Sequence, residues 1–142
     1  MTRPDIAKFK VINEDWKLKS RLGAGSFGEV HLATEIKSGI KVAIKFDLKP
    51  EGEDKAFKKE VDFLTKLNDN SQHVPTLIAF GKFNSINYCV MQLLGSSLSD
   101  LRRDQPHNRF SVSSVLRITR QMVWAARDVQ KVYHVMTKQD FL

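Results

Sequence analysis

Leu22-Gly23-Ala24-Gly25-Ser26-Phe27-Gly28-Glu29-Val30 is the stretch on which the reading of this chain turns. A G-x-G-x-x-G run occurs in two unrelated phosphate-binding folds, so by itself it decides little. In one of them the run opens a helix. Here it is followed by Val30-His31-Leu32-Ala33, with Val30 and Leu32 on one face of a strand. No acidic residue stands where the second strand of a βαβ unit would contact a ribose. The glycines therefore belong to a hairpin. Without side chains, the backbone of such a hairpin can bring its N–H groups close to an anion. A plain hairpin that uses glycine only for its turn geometry is the competing reading, and the run leaves both open.

Outward from this stretch the chain alternates. Trp16, Leu18, Ser20 and Leu22 mark a half-buried strand before the glycines. After Val30–Ala33, Ser38-Gly39 reads as a hairpin turn, and Lys41-Val42-Ala43-Ile44-Lys45-Phe46 as a third strand. Pro50 and Gly52 break the pattern, and Glu53-Asp54 supply the acidic start of a helix. Phe57, Val61, Leu64 and Leu67 recur along it at helical spacing until Asn68-Asp69-Asn70. Residues 77–80 and 86–94 are two further strands, joined by a turn over 81–85. Gly95-Ser96-Ser97 is a joint, a short helix covers 98–103, and Pro106-His107-Asn108 is a loop. A longer helix spans 113–133, with Val115, Ile118, Met122, Ala125, Val129 and Val132 in one stripe. Residues 1–12 read as a loosely held lead-in.

Length and composition set bounds. The 142 residues suffice for one ordinary domain, and 42% hydrophobic with 27% charged residues is a soluble globular composition rather than a disordered one. The net charge of +7 is scattered, without a stripe of aromatics and arginines, so no nucleic-acid partner is expected. The single cysteine, Cys89, lies in an apolar run and reads as a buried, reduced thiol, which favours an intracellular protein, cytoplasmic or nuclear. No secretory leader or membrane-spanning stretch is expected, and no metal-ligating cluster is evident.

Two charged residues stand out against their surroundings. Lys45 shares a strand face with Ala43, opposite Val42 and Ile44. A lysine among such neighbours usually snorkels to solvent; turned into a cleft, it needs an anionic partner, because an unpaired buried ammonium costs several kcal/mol. Glu60 lies beside Phe57, Leu64 and Leu67 on one side of the following helix. It is either a boundary residue or that partner. Paired with Glu60, Lys45 would be held toward the two inner phosphates of a nucleotide.

The order of glycine hairpin, Val-Ala-Ile-Lys strand and helical glutamate resembles the signature of the eukaryotic protein kinases. The resemblance implies an α+β fold: a kinase-like amino-terminal lobe, a five-stranded antiparallel sheet with one helix, followed by the first helices of an incomplete carboxy-terminal lobe. Residues 1–15 would then be a lead-in, 16–94 the amino-terminal lobe and 95–142 the hinge and partial second lobe. Val90-Met91-Gln92-Leu93-Leu94-Gly95-Ser96-Ser97-Leu98-Ser99-Asp100-Leu101 is similar to the hinge of the casein kinase I group, in its tau-tubulin kinase-like branch. The likeness covers about residues 16 to 133.

By that resemblance ATP is the ligand. Leu22, Val30 and Ala43 would line the adenine pocket, with Gly23, Gly25 and Gly28 over the phosphates. Met91 would guard the back of the pocket, the backbones of Gln92 and Leu94 would meet the adenine edge, and Asp100 would reach the ribose. The catalytic loop of the family has no clear counterpart. His134 and Lys138 match a loop histidine and lysine, which puts Met136 where the catalytic aspartate belongs; the tail also reads as unrelated sequence that begins with a histidine. Asp140-Phe141 is followed by Leu142 rather than glycine. The expectation is an ATP-binding domain without an intact catalytic set, needing Mg²⁺ only if a longer form supplies its ligands. The alternatives are part of an active Ser/Thr kinase, or a protein-interaction module with a vestigial cleft. The stripe of helix 113–133 is expected to stay partly exposed and to meet a protein substrate or partner.

Overall fold

A computed structural model describes residues 5–25, 28–48 and 54–139. Ser26 and Phe27 at the tip of the glycine run, Pro50, Gly52 and Glu53 before the helix, and Asp140–Leu142 lie outside the described residues.

The strands are β1 (Val11–Ile12), β2 (Trp16–Gly25), β3 (Gly28–Glu35), β4 (Lys41–Asp47), β5 (Leu77–Phe83) and β6 (Ile86–Gln92). They form one antiparallel sheet in the order β1-β2-β3-β4-β6-β5. Helix α1 (Asp54–Asn70) is inserted between β4 and β5, and α2 (Leu98–Arg103) and α3 (Val112–Gln139) follow the sheet. The α+β expectation, an antiparallel sheet with one inserted helix and further helices after it, is what the chain adopts. The short β1 adds a sixth strand at the edge.

Alternation along β4 gives the sheet two apolar faces. Val42, Ile44 and Phe46 join Trp16, Ala33, Tyr88 and Val90 in one buried cluster. The opposite face carries Cys89, against which Phe57 and Val61 of α1 pack with Leu77 and Met91 at their margin. The register Val30↔Lys45↔Cys89 and Leu32↔Ala43↔Met91 places those six side chains on this second, helix-covered face.

Four expectations change. The lead-in is not loose beyond residue 4: Ile6 sits in a 3-10 turn capped by the Asp5 carboxylate and, with Ile12, is buried in the first cluster. These apolar residues cover the outer end of a sheet that would otherwise show Trp16 to water. On β2, the alternation Trp16, Leu18, Ser20, Leu22 does not persist. Register shifts between Leu18 and Arg21 and between Arg21 and Gly23 each add a residue to β2, and Leu22 ends exposed. A one-residue shift sends every later side chain to the other face. The β5–β6 turn contracts to Asn84-Ser85, both at positive φ of 47° and 65°, which suits a tight hairpin. Finally, α3 continues to Gln139, through the positions matched to a catalytic loop. Nothing between Val112 and Gln139 is glycine or proline, so no residue stops the helix.

The chain divides into two compact units, residues 1–65 with 75–93, and residues 66–74 with 94–142. Within the second, α2 is closed by a capping box. The Ser97 hydroxyl accepts from the Asp100 N–H, while the Asp100 carboxylate accepts from the Ser97 N–H.

Candidate nucleotide site

The glycine hairpin is the junction of β2 and β3, where Gly23 faces Val30 and Gly25 faces Gly28. Its glycines are not equivalent. Gly28 has φ of 148°, and a Cβ there would lie 1.9 Å from the carbonyl oxygen of Phe46. That glycine is required by the fold itself. At Gly23 and Gly25 a Cβ would meet nothing within 4 Å. Glycine there leaves open space over the backbone, which an added side chain would fill.

Lys45 stands on the same sheet face as Val30, Ala43 and Met91, flanked in register by Val30 and Cys89. Its ammonium donates to the Glu60 carboxylate of α1, a charge-assisted contact between two part-exposed side chains. The pair is possible because α1 lays Phe57 and Val61 on this face, and Glu60, one position before Val61, comes to the edge of that contact. Burial pushes the neighbouring Cys89 thiol up to about 11, with the Glu60 charge adding to the rise and the Lys45 charge opposing it. That thiol is therefore neutral and unreactive at ordinary pH.

The remaining residues divide between the units. Met91 packs beside Cys89, Phe57 and Val61. The Gln92 N–H donates to the Thr76 carbonyl at 2.8 Å, so a contact to an adenine amino group would fall to the Gln92 carbonyl. Leu22 is exposed on β2. Leu94 and Asp100 belong to the second unit, where Leu94 is exposed. Asp100 is already engaged: its carboxylate accepts from the Ser97 hydroxyl at 2.7 Å and pairs with Arg103. These partners, Ser97 first, hold its carboxyl below the usual range.

Two polar groupings escaped the sequence reading. On the other face of the hairpin, the Glu29 carboxylate joins Arg21 and the buried His31. In the second unit, Asp128 of α3 accepts from the Ser71 hydroxyl at 2.8 Å and lies 3.2 Å from His73 Nδ1. It borders a cavity of about 340 Å³ lined by Lys66, Asn70, Lys131 and Val132 as well. Asp128 had one legible signal, an acid between Ala125 and Val132 on the sheltered side of an otherwise apolar stripe. Ser71 and His73 had none, because their partner is more than fifty residues away.

A family model for protein tyrosine and serine/threonine kinases matches residues 16–135. The chain belongs to the protein kinase family. It is 34% identical over 124 residues to a probable serine/threonine-protein kinase of Dictyostelium discoideum, covering 87% of this chain and 25% of that protein. It is 28% identical over 135 residues to casein kinase I homolog 1 of Saccharomyces cerevisiae, covering 93% of this chain and 24% of that one. The serine/threonine-protein kinase spe-6 of Caenorhabditis elegans is 27% identical over 135 residues, covering 88% and 35% respectively. The chain thus spans about a quarter to a third of the length of these relatives.

A kinase domain in general uses ATP and Mg²⁺. For ATP the residues fit: open backbone at Gly23 and Gly25, and a cation fixed by Glu60 on the face below. Among the described residues no group of three or more His, Cys, Asp or Glu side chains gathers. Among these residues no helix is long and apolar enough to cross a membrane.

Proposed function

We propose that this chain is the ATP-binding domain of a Ser/Thr protein kinase of the casein kinase I group and does not transfer phosphate as it stands. The observation that carries the reading is the Lys45–Glu60 pair on the sheet face shared with Val30, Ala43 and Met91. A carboxylate that restrains the ammonium leaves it positioned for the inner phosphates of ATP rather than for bulk water. Backbone N–H groups at Gly23 and Gly25 approach the same phosphates, with Gly28 fixing the turn. Leu22, Val30 and Ala43 enclose the adenine and Met91 closes the pocket behind it. The Gln92 carbonyl and Leu94 backbone meet the adenine edge, and Asp100 is the residue for the ribose. In this reading residues 1–15 are the lead-in, 16–94 form the nucleotide lobe and 95–142 the hinge and start of the second lobe.

The absence of transfer is supported by the helical course of α3 through residue 139. The resemblance puts Met136 at the position of the catalytic aspartate, and a thioether neither takes a proton nor orients a hydroxyl as a carboxylate does. A protein partner on α3 is a second reading, favoured by the exposure of Val115, Leu116, Met122 and Val123.

Thermal unfolding of the 142-residue chain with ATP tests the first reading. At about a hundred times its dissociation constant, ATP adds roughly 2.7 kcal/mol to the folded state. Lys45→Met is expected to abolish most of that shift. A cooperative melt that ATP leaves unmoved overturns nucleotide binding and leaves the partner reading. Phosphate transfer by the same chain to a Ser/Thr peptide overturns the second half of the proposal.

A further inference from the structure

The face of the hairpin turned away from Lys45 carries a polar cluster that nucleotide binding does not explain. His31 is 1% exposed, and its Nε2 donates to Glu29 Oε2 at 2.9 Å. Its ring meets Phe46 edge-on, 5.8 Å between centroids. The other Glu29 oxygen accepts from Arg21 Nη1 at 3.4 Å. One carboxylate therefore ties a side chain of β2 to one of β3.

The place of this tie is informative. Arg21↔His31 is the registered pair that stands between the two bulges of β2. A bulge interrupts the ladder, bends its strand and increases the local twist. Where backbone pairing is interrupted, side-chain bridges decide how far the strand bends. Deeper in the hairpin, Gly28 lies against the Phe46 carbonyl, and Phe46 lies against His31. Arg21, Glu29, His31, Phe46 and Gly28 form one continuous stack. It links the bent part of β2 to β4, the strand that carries Lys45.

We propose that Glu29 is a positioning residue for the nucleotide phosphates: by bridging Arg21 and buried His31 it fixes the bend of the Gly23–Gly25 strand over β4. The inference rests on the nucleotide-binding reading. Glu29 touches no nucleotide atom, because it lies on the opposite face from Val30 and Lys45. It acts through the β2 backbone, whose N–H groups must stand at the right height above the Lys45 ammonium. Without Glu29, the His31 ring loses its acceptor and Arg21 loses its anchor, so β2 is free to lift. The effect falls on the phosphates and spares the base, which is held elsewhere.

Calorimetric affinities for ATP and for adenosine separate this role from a general loss of structure. Glu29→Ala is expected to weaken ATP about tenfold and adenosine less than about twofold, the size of change that follows from losing one ordered hydrogen-bonding group. Glu29→Gln, which still accepts from His31, should restore ATP binding to within about threefold of the parent. Arg21→Ala removes only the exposed arm of the bridge and should cost ATP affinity about threefold. Equal losses for ATP and adenosine, or an unchanged ATP affinity in Glu29→Ala, overturn the inference. If Glu29→Ala does not melt cooperatively, Arg21→Ala decides, and an unchanged ATP-to-adenosine ratio in that variant overturns it. A parent chain that binds neither ligand overturns the nucleotide reading, and this inference with it. A parent that binds both while the variants keep its ratio overturns this inference alone.

Discussion

Leu67 of α1 and Leu116 of α3 are the same residue in helices of similar amphipathic period, yet Leu67 is 2% exposed and Leu116 is 65% exposed. The difference lies in what stands opposite. Along α1, Phe57 and Val61 meet Cys89, Leu77 and Met91 of the sheet, and Leu67 further on is itself buried. Along α3, Ala125, Asp128 and Val132 are sheltered while Val112, Val115, Leu116, Met122 and Val123 face outward. A helix apolar on more than one side is a helix built to be covered on more than one side. Periodicity thus specifies that a segment is helical and which residues share a face; it does not specify that a neighbour is present to cover that face.

The sharpest test of this contrast is one substitution made twice. Leu67→Ala should cost roughly 2–5 kcal/mol, the usual range for emptying a packed leucine site. Leu116→Ala should stay within about 0.5 kcal/mol, as for an ordinary surface change. Urea unfolding of the two variants measures both. A loss at Leu116 comparable to that at Leu67 would mean that the outer face of α3 is covered in solution, and the comparison would break.

The same contrast explains which parts of the site were legible beforehand. Lys45 and Glu60 could be paired on paper because each belongs to an element of regular period, a strand of seven residues and a helix of seventeen. Their relative placement needs only that the helix covers the strand. The link from Arg21 through Glu29 to His31 could not be read, because the placing of Arg21 opposite His31 depends on a register broken twice in β2, and bulges leave no reliable mark in a single sequence. Residues 134–139 left two readings open, a loop and unrelated sequence. The likeness to a loop rests on one histidine and one lysine, while uninterrupted helix-compatible sequence lets α3 run on through these positions.

Within the hairpin, the glycines extend the comparison to single atoms. Gly28→Ala forces a Cβ to within 1.9 Å of the Phe46 oxygen at a φ of 148°, so something in the backbone must shift. A loss of roughly 1–3 kcal/mol or more is expected in thermal or denaturant unfolding. Gly25→Ala meets no atom within 4 Å and should leave stability within about 0.5 kcal/mol of the parent. If ATP occupies the proposed site, Gly25→Ala weakens it with no change in the apo melting point. A large stability loss at Gly25 would show that the hairpin strand is held more tightly than its open surroundings imply.

The smallest effect concerns how the second unit holds its loop. Asp128 receives the Ser71 hydroxyl and the His73 ring, with Arg127 Nε 3.7 Å from its other oxygen. These contacts, Ser71 foremost and His73 next, keep the Asp128 carboxyl below the usual carboxylate range. A group whose folded pKa is depressed adds stability above its unfolded value and loses it as pH falls through the folded value. The contribution of Asp128 is therefore complete at neutral pH and disappears progressively below about pH 4, the ordinary aspartate range. Asp128→Asn should melt below the parent at pH 7, and the two curves should converge on acidification. His73 and Ser71 can still hydrogen-bond an amide, so a gap that persists unchanged down to pH 3 would assign the anchor to bond geometry rather than to charge. In that case the loop at residues 71–74 is held by the shape of its contacts, as the strands of the first unit are. Convergence would instead set an electrostatic anchor in the second unit against an apolar one in the first.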